Sequence, residues 1–100
     1  MKTIFKYTLT VKDIQTISIP EGAGFLSVIE QNNLPVIYFL VDPNQESQPV
    51  TFVVLGTGRQ VEEDSLKHFL YLGTVSTLNT LGRNLVWHIF AQESTTWSKR

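Results

Sequence analysis

The segments able to do chemistry are few and short. Gly56-Thr57-Gly58-Arg59 sets two glycines, whose bare backbone lets amides approach an anion, beside a guanidinium that can grip phosphate with two parallel hydrogen bonds. No Lys-Ser or Lys-Thr follows the glycines and no helix-period pattern opens after them, so neither the P-loop nor the dinucleotide fingerprint is met. Two readings stay open: an anion site without nucleotide-hydrolase machinery, and a plain turn that ends a strand. Arg83 offers a second guanidinium at Gly82-Arg83-Asn84. Trp87-His88 puts a stackable ring next to an imidazole. A phosphate-bearing small molecule is therefore expected to bind at Gly56, Gly58, Arg59, Arg83, Trp87 and His88.

The remaining polar groups make a weaker case for catalysis. His68 and His88 are the only imidazoles, and could meet across a sheet to hold a metal with Glu63 or Asp64, but no local ligand spacing supports it. Asp64, Ser65 and His68 contain the residue types of a hydrolytic triad, yet such triads form by spatial convergence and seldom from sequence neighbours. Glu62-Glu63-Asp64 reads as a solvated acidic stretch. The expectation is a protein without catalytic residues, metal or cofactor, with a small hydrolase using His68, His88 and the acidic stretch as the rival.

Strands must carry these groups. Runs of β-branched and aromatic residues recur about every eight to twelve positions, each cut by Gly, Pro, Asn or Asp. Ile4–Val11 alternates, with Phe5, Tyr7, Leu9 and Val11 on one face and Lys6, Thr8 and Thr10 on the other. Lys12-Asp13 is expected to turn the chain into a second strand, Gln15–Ile19, paired back on the first. Phe25–Gln31 follows, ending at Asn32-Asn33, residues that tolerate positive φ. Val36–Val41 is apolar on both faces, as a central strand or subunit contact requires. A turn at Asp42-Pro43-Asn44 and a loop over Gln45–Gln48 lead to Val50–Leu55. Ser65–Phe69 fits either one helical turn or a direct run into Phe69–Val75, where Gly73 signals a bulge or close backbone approach. Thr77–Asn84 reads as loop and Leu85–Phe90 as the last strand.

The fold class expected is all-β: a single-domain sandwich or jelly-roll-like small barrel of about seven strands. Residues 1–91 form the domain, with the opening and closing strands in the body of a sheet, and 92–100 form a polar tail. Trp97 is the anomaly of that tail, one large apolar ring that either docks or is left loose.

Composition narrows the partners. There is no cysteine, which removes disulfides, thiolate metal sites and a cysteine nucleophile together. Eight Lys and Arg against nine Asp and Glu leave no basic excess for phosphate neutralisation along a duplex, so nucleic acid is not an expected partner. No apolar run reaches membrane-spanning length, and a cytoplasmic protein is expected.

Several segments together carry a resemblance: Lys2-Thr3-Ile4-Phe5-Lys6-Tyr7, Ile19-Pro20-Glu21-Gly22-Ala23, Val41-Asp42-Pro43, Phe52 through Gly58, Tyr71-Leu72-Gly73-Thr74-Val75 and Leu85-Val86-Trp87-His88-Ile89-Phe90. In these the chain resembles, nearly as far as Phe90, a family of short phage and bacterial proteins of unknown function. The resemblance implies a host-cell protein that works by occupancy, such as an anti-defence factor sequestering a nucleotide-like immune signal. The alternative is a protein-binding or virion-associated structural module. The first is expected to be a homo-oligomer, its subunit contact made by Val36–Val41 or Leu85–Phe90, and the second to pair with a partner through a sheet face or an edge strand.

Overall fold

Period-2 alternation becomes eight strands in the computed structural model, which describes residues 1–100. They are β1 (Thr3–Thr8), β2 (Ile14–Pro20), β3 (Ala23–Gln31), β4 (Leu34–Val41), β5 (Ser47–Gly56), β6 (Phe69–Leu78), β7 (Asn84–Gln92) and β8 (Trp97–Lys99). Two four-stranded sheets, ordered β1-β4-β3-β8 and β2-β5-β7-β6, pack face to face as an all-β sandwich. Both sheets keep free edges, so no barrel closes.

The expected hairpin between the first two strands does not form. β1 pairs with β4, from Thr3↔Val41 to Thr8↔Val36, while β2 pairs with β5 in the other sheet. A tight hairpin needs positive φ at its turn, and no residue between Leu9 and Asp13 has it. These residues instead arch from one sheet to the other. The Gln15 side-chain amide ties down the arch, accepting from Thr10 N–H at 2.9 Å and donating to Thr10 C=O at 2.7 Å. Leu9 is fully buried at the crossing, whereas Val11 turns to solvent. The opening strand is consequently a sheet edge and not part of a sheet's body.

Asn32 and Asn33 adopt φ of 52° and 65°, the pair of left-handed residues that a two-residue hairpin demands between β3 and β4. β4 then lies between β1 and β3, and β7 between β5 and β6. That placement explains why Val36–Val41 is apolar on both faces and why Leu85–Phe90 is apolar except for the outward His88, and neither strand is a sheet edge. Ser47 and Gln48, expected in a loop, already belong to β5 opposite Pro20 and Ile19. β6 likewise runs on to Leu78. Leu72 is its bulged residue, and beside it Gly73 lies against β3, where a Cβ would collide with Val28 Cγ1.

The core is led by Phe39, Phe52, Ile37 and Ile89. An edge-to-face row of rings runs from Phe5 through Tyr7 and Phe39 to Phe25 and Trp97. Trp97 belongs to β8, a short strand parallel to β3, and is 5% exposed with Nε1 donating to Gln92 C=O at 2.9 Å. The last residues are thus built into the first sheet, and the anomaly of Trp97 resolves as docking on its own chain.

Candidate binding site

Neighbours on a strand point to opposite faces, and this separates Trp87 from His88. Trp87 turns inward from β7, half-buried against the core, with Nε1 donating to Thr77 Oγ1 at 2.8 Å. Its ring lies over Gly56, where a Cβ would stand 3.3 Å from the indole. His88 turns outward. Its Nε2 lies 2.7 Å from Thr57 Oγ1 and its Nδ1 3.0 Å from Thr74 Oγ1, which in turn bonds the Tyr71 hydroxyl. The relay joins β5, β7 and β6 across the outer face of their sheet, and contains no carboxylate to stabilise an imidazolium.

Above this face runs the 57–68 connection. Backbone bonds from Ser65 N–H to Glu62, Lys67 N–H to Asp64 and Phe69 N–H to Leu66 make it a chain of turns, without a helix. This strap covers the outer side of β5, so Val53 is 7% exposed although it points away from the main core. Arg59 latches it: the guanidinium grips Asp13 of the arch, Nη1 to Oδ1 at 2.7 Å with Nη2 on the second oxygen. Hydrogen bonding from Arg59 holds the Asp13 carboxyl below the usual carboxylate range, and the same bond raises Arg59. At the turn into the strap Gly58 takes φ of 93°, while Thr57 N–H bonds Val86 C=O and Arg59 N–H bonds Gly56 C=O.

Two clefts flank the strap. The first, about 340 Å³, has an apolar floor of Ile14, Val53, Leu55, Leu66 and Phe69 and a polar rim of Asp13, Arg59, Glu62 and Ser65. The second, about 260 Å³, lies on the β7 side and brings together Gly56, Gly58, Arg59 and His88. Arg59 lines both. Of the six residues expected to hold a ligand, four share the second cleft. Trp87 instead lines a third opening at the end of the sandwich, with Leu85 and Val86. Arg83 sits at the exposed tip of the β6–β7 hairpin, its backbone bonded to Asn79.

The other polar groups do not converge. His68 Nδ1 lies 3.3 Å from Glu93, Ser65 Oγ donates to Glu62 C=O, and His88 is held by its two threonines. No three His, Asp or Glu side chains cluster as metal ligands. A family described as a domain of unknown function, DUF7352, matches residues 1–100. The chain belongs to the DUF7352 family. Searches of curated proteins and of solved structures return no similar protein.

In this DUF7352 member, sequence reasoning missed Asp13, Thr57, Thr74 and Tyr71. The hydroxyls had a weak signal, since alternation puts Thr74 and His88 on outward faces. Asp13 had none: it lies 46 residues from Arg59 and meets it only because the arch and the strap end at the same corner.

Proposed function

We propose that the chain acts by non-covalent capture of a phosphate-bearing small molecule with a flat or apolar body, and performs no turnover. One observation carries this reading: Arg59 stands where an apolar-floored cleft meets a glycine-lined one. The apolar floor would take the body of the ligand, and the guanidinium its phosphate. A guanidinium has five N–H donors, so the fork given to Asp13 leaves others for an anion. A cyclic dinucleotide or ADP-ribose derivative has this chemistry. With the resemblance to phage proteins, that supports an anti-defence role in a host cytoplasm, by sequestration. No helix is long and apolar enough to cross a membrane.

Isothermal titration with cyclic dinucleotides and ADP-ribose derivatives tests the reading. Binding is expected to be lost in Arg59→Ala. No heat with any of these ligands, or equal binding by Arg59→Ala, would retire it. Turnover in a phosphoester and ester panel, abolished by His88→Ala, would favour the hydrolase instead. The second reading, a protein-binding module, is favoured by the exposed apolar side chains of an unpaired edge, Ile4 and Phe5 of β1.

A further inference from the structure

The four sheet edges are not equally protected. On β6, the Asn33 side-chain amide donates to Leu78 C=O at 2.8 Å and accepts from Leu78 N–H at 2.7 Å, and Lys99 Nζ donates to Tyr71 C=O at 2.7 Å. Side chains thus occupy both ends of that edge. β8 is three residues long and is followed by a further cation, Arg100, after Lys99, which makes a poor template. β2 exposes Ile14, at 67%, but into the strap cleft; beyond it the strand presents Thr16 and Ser18 and ends at Pro20, which has no N–H to give. β1 has neither device: it contains no proline, no side chain bonds its outer backbone, and Ile4 is 58% and Phe5 39% exposed. Phe5 is also the exposed end of the aromatic row that begins in the core.

The geometry of β1 sets what can pair with it. Leu9 N–H donates to Pro35 C=O, so in this register the odd-numbered residues exchange bonds with β4, and Ile4, Lys6 and Thr8 turn their N–H and C=O groups outward. A two-fold axis normal to the sheet, which keeps inner faces together, makes residues of like parity meet. Setting Lys6 opposite itself, or opposite Lys2, places like charges in direct contact and is disfavoured. Pairing Thr3 with Thr3 or Tyr7 with Tyr7 avoids both but matches at most the three residues Lys6–Thr8 of β1; one longer register, over Thr3–Tyr7, also avoids both. It sets Phe5 opposite Phe5 of the second copy in a non-hydrogen-bonded pair, where side chains come closest, and Ile4 opposite Lys6 in hydrogen-bonded pairs. Each Lys6 stem then lies along an exposed Ile4 while its ammonium stays in water.

We propose that two copies of this chain pair antiparallel through β1, with Phe5 against Phe5, to make one continuous eight-stranded sheet. The contact goes beyond ligand capture and is independent of it, because the strap clefts lie on the other sheet. A single short edge is at the low end of interface sizes and predicts a dissociation constant in the micromolar range.

Sedimentation equilibrium of the intact chain is expected to show a monomer–dimer equilibrium. Ile4→Pro removes an outward N–H that β4 does not use, and should weaken the dimer at least about tenfold. The cysteine-free sequence allows the register to be read directly. Phe5→Cys should cross-link on mild oxidation, since facing residues in a non-hydrogen-bonded pair lie about 4.5 Å apart at Cα, within disulfide reach. Lys6→Cys should not. This pair of variants reads the register even if Ile4→Pro fails to fold. A monomer up to about millimolar concentration, a dimer that a folded Ile4→Pro leaves unchanged, or cross-linking by Lys6→Cys in preference to Phe5→Cys would each overturn the proposal. Titration of nucleotides into the Ile4→Pro monomer keeps the two readings apart, because failure of one leaves the other standing.

Discussion

Trp97→Ala tests how far the last residues hold the sandwich together. The indole is 5% exposed, meets Phe39 edge-on with centroids 6.1 Å apart, and donates to Gln92 C=O. A buried tryptophan removes about 200 Å² from water, which at ~25 cal/mol per Å² is about 5 kcal/mol. Ordering the side chain returns about 1 kcal/mol of this, which leaves the range of ~3–5 kcal/mol typical of Trp→Ala in a core. Against a total stability of about 5–15 kcal/mol that is a large share. The melting temperature should fall by about 12–40 °C at the ~4–8 °C per kcal/mol usual for this size. Urea unfolding followed by Trp87 fluorescence measures the loss, and an unchanged slope would show that the same unit still unfolds cooperatively. Trp97→Phe keeps the ring contact and gives up the hydrogen bond, so it should cost about 1 kcal/mol. A loss below about 1 kcal/mol for Trp97→Ala would mean that β8 is an ornament on the sheet, and the docking described above would be wrong.

Other perturbations have equally definite outcomes. Gly73→Ala drives a Cβ into the stiff, β-branched Val28 and should cost about 1–3 kcal/mol in chemical denaturation, with much of it recovered in the Val28→Ala background; equal costs in both backgrounds would refute the contact. Asn33→Gly keeps the left-handed turn but loses the bidentate bond to Leu78, so it should cost about 1–2 kcal/mol, and Asn33→Ala about 1 kcal/mol more because alanine resists positive φ. The Asp13–Arg59 latch should respond to acid. A carboxylate whose folded pKa is depressed contributes stability above its unfolded value of about 3.9, and that contribution is lost as pH falls through the lower folded value. Protection of the 57–68 strap amides, measured against their intrinsic exchange rates, should therefore fall as pH drops below about 4 in the parent chain, while Asp13→Asn should show low protection at every pH.

The six proposed ligand contacts divide according to the range of the interactions that place them. That Gly58 ends a strand in a turn was legible from four adjacent residues, and the turn formed with the positive φ expected of glycine. Alternation along β7 already implied that Trp87 and His88 face opposite ways. Treating them as one site overlooked a purely local rule. Arg59 is a different matter, because its bidentate partner comes from a segment 46 residues earlier that no pattern around Arg59 announces.

The seven longer strands in outline, the turn at Asn32-Asn33, the special character of Gly73 and the all-β class were all legible in the sequence alone. Each depends on backbone preference and on side-chain period over a few residues. Which strand pairs with which was decided only in three dimensions: β1 chose β4 over its neighbour β2, and the apparently polar end of the chain became β8. Pairing is a contest among distant segments for one shared core. Its outcome depends on burying Leu9, Ile19 and Trp97 together, a quantity that belongs to the whole chain and to no window of it.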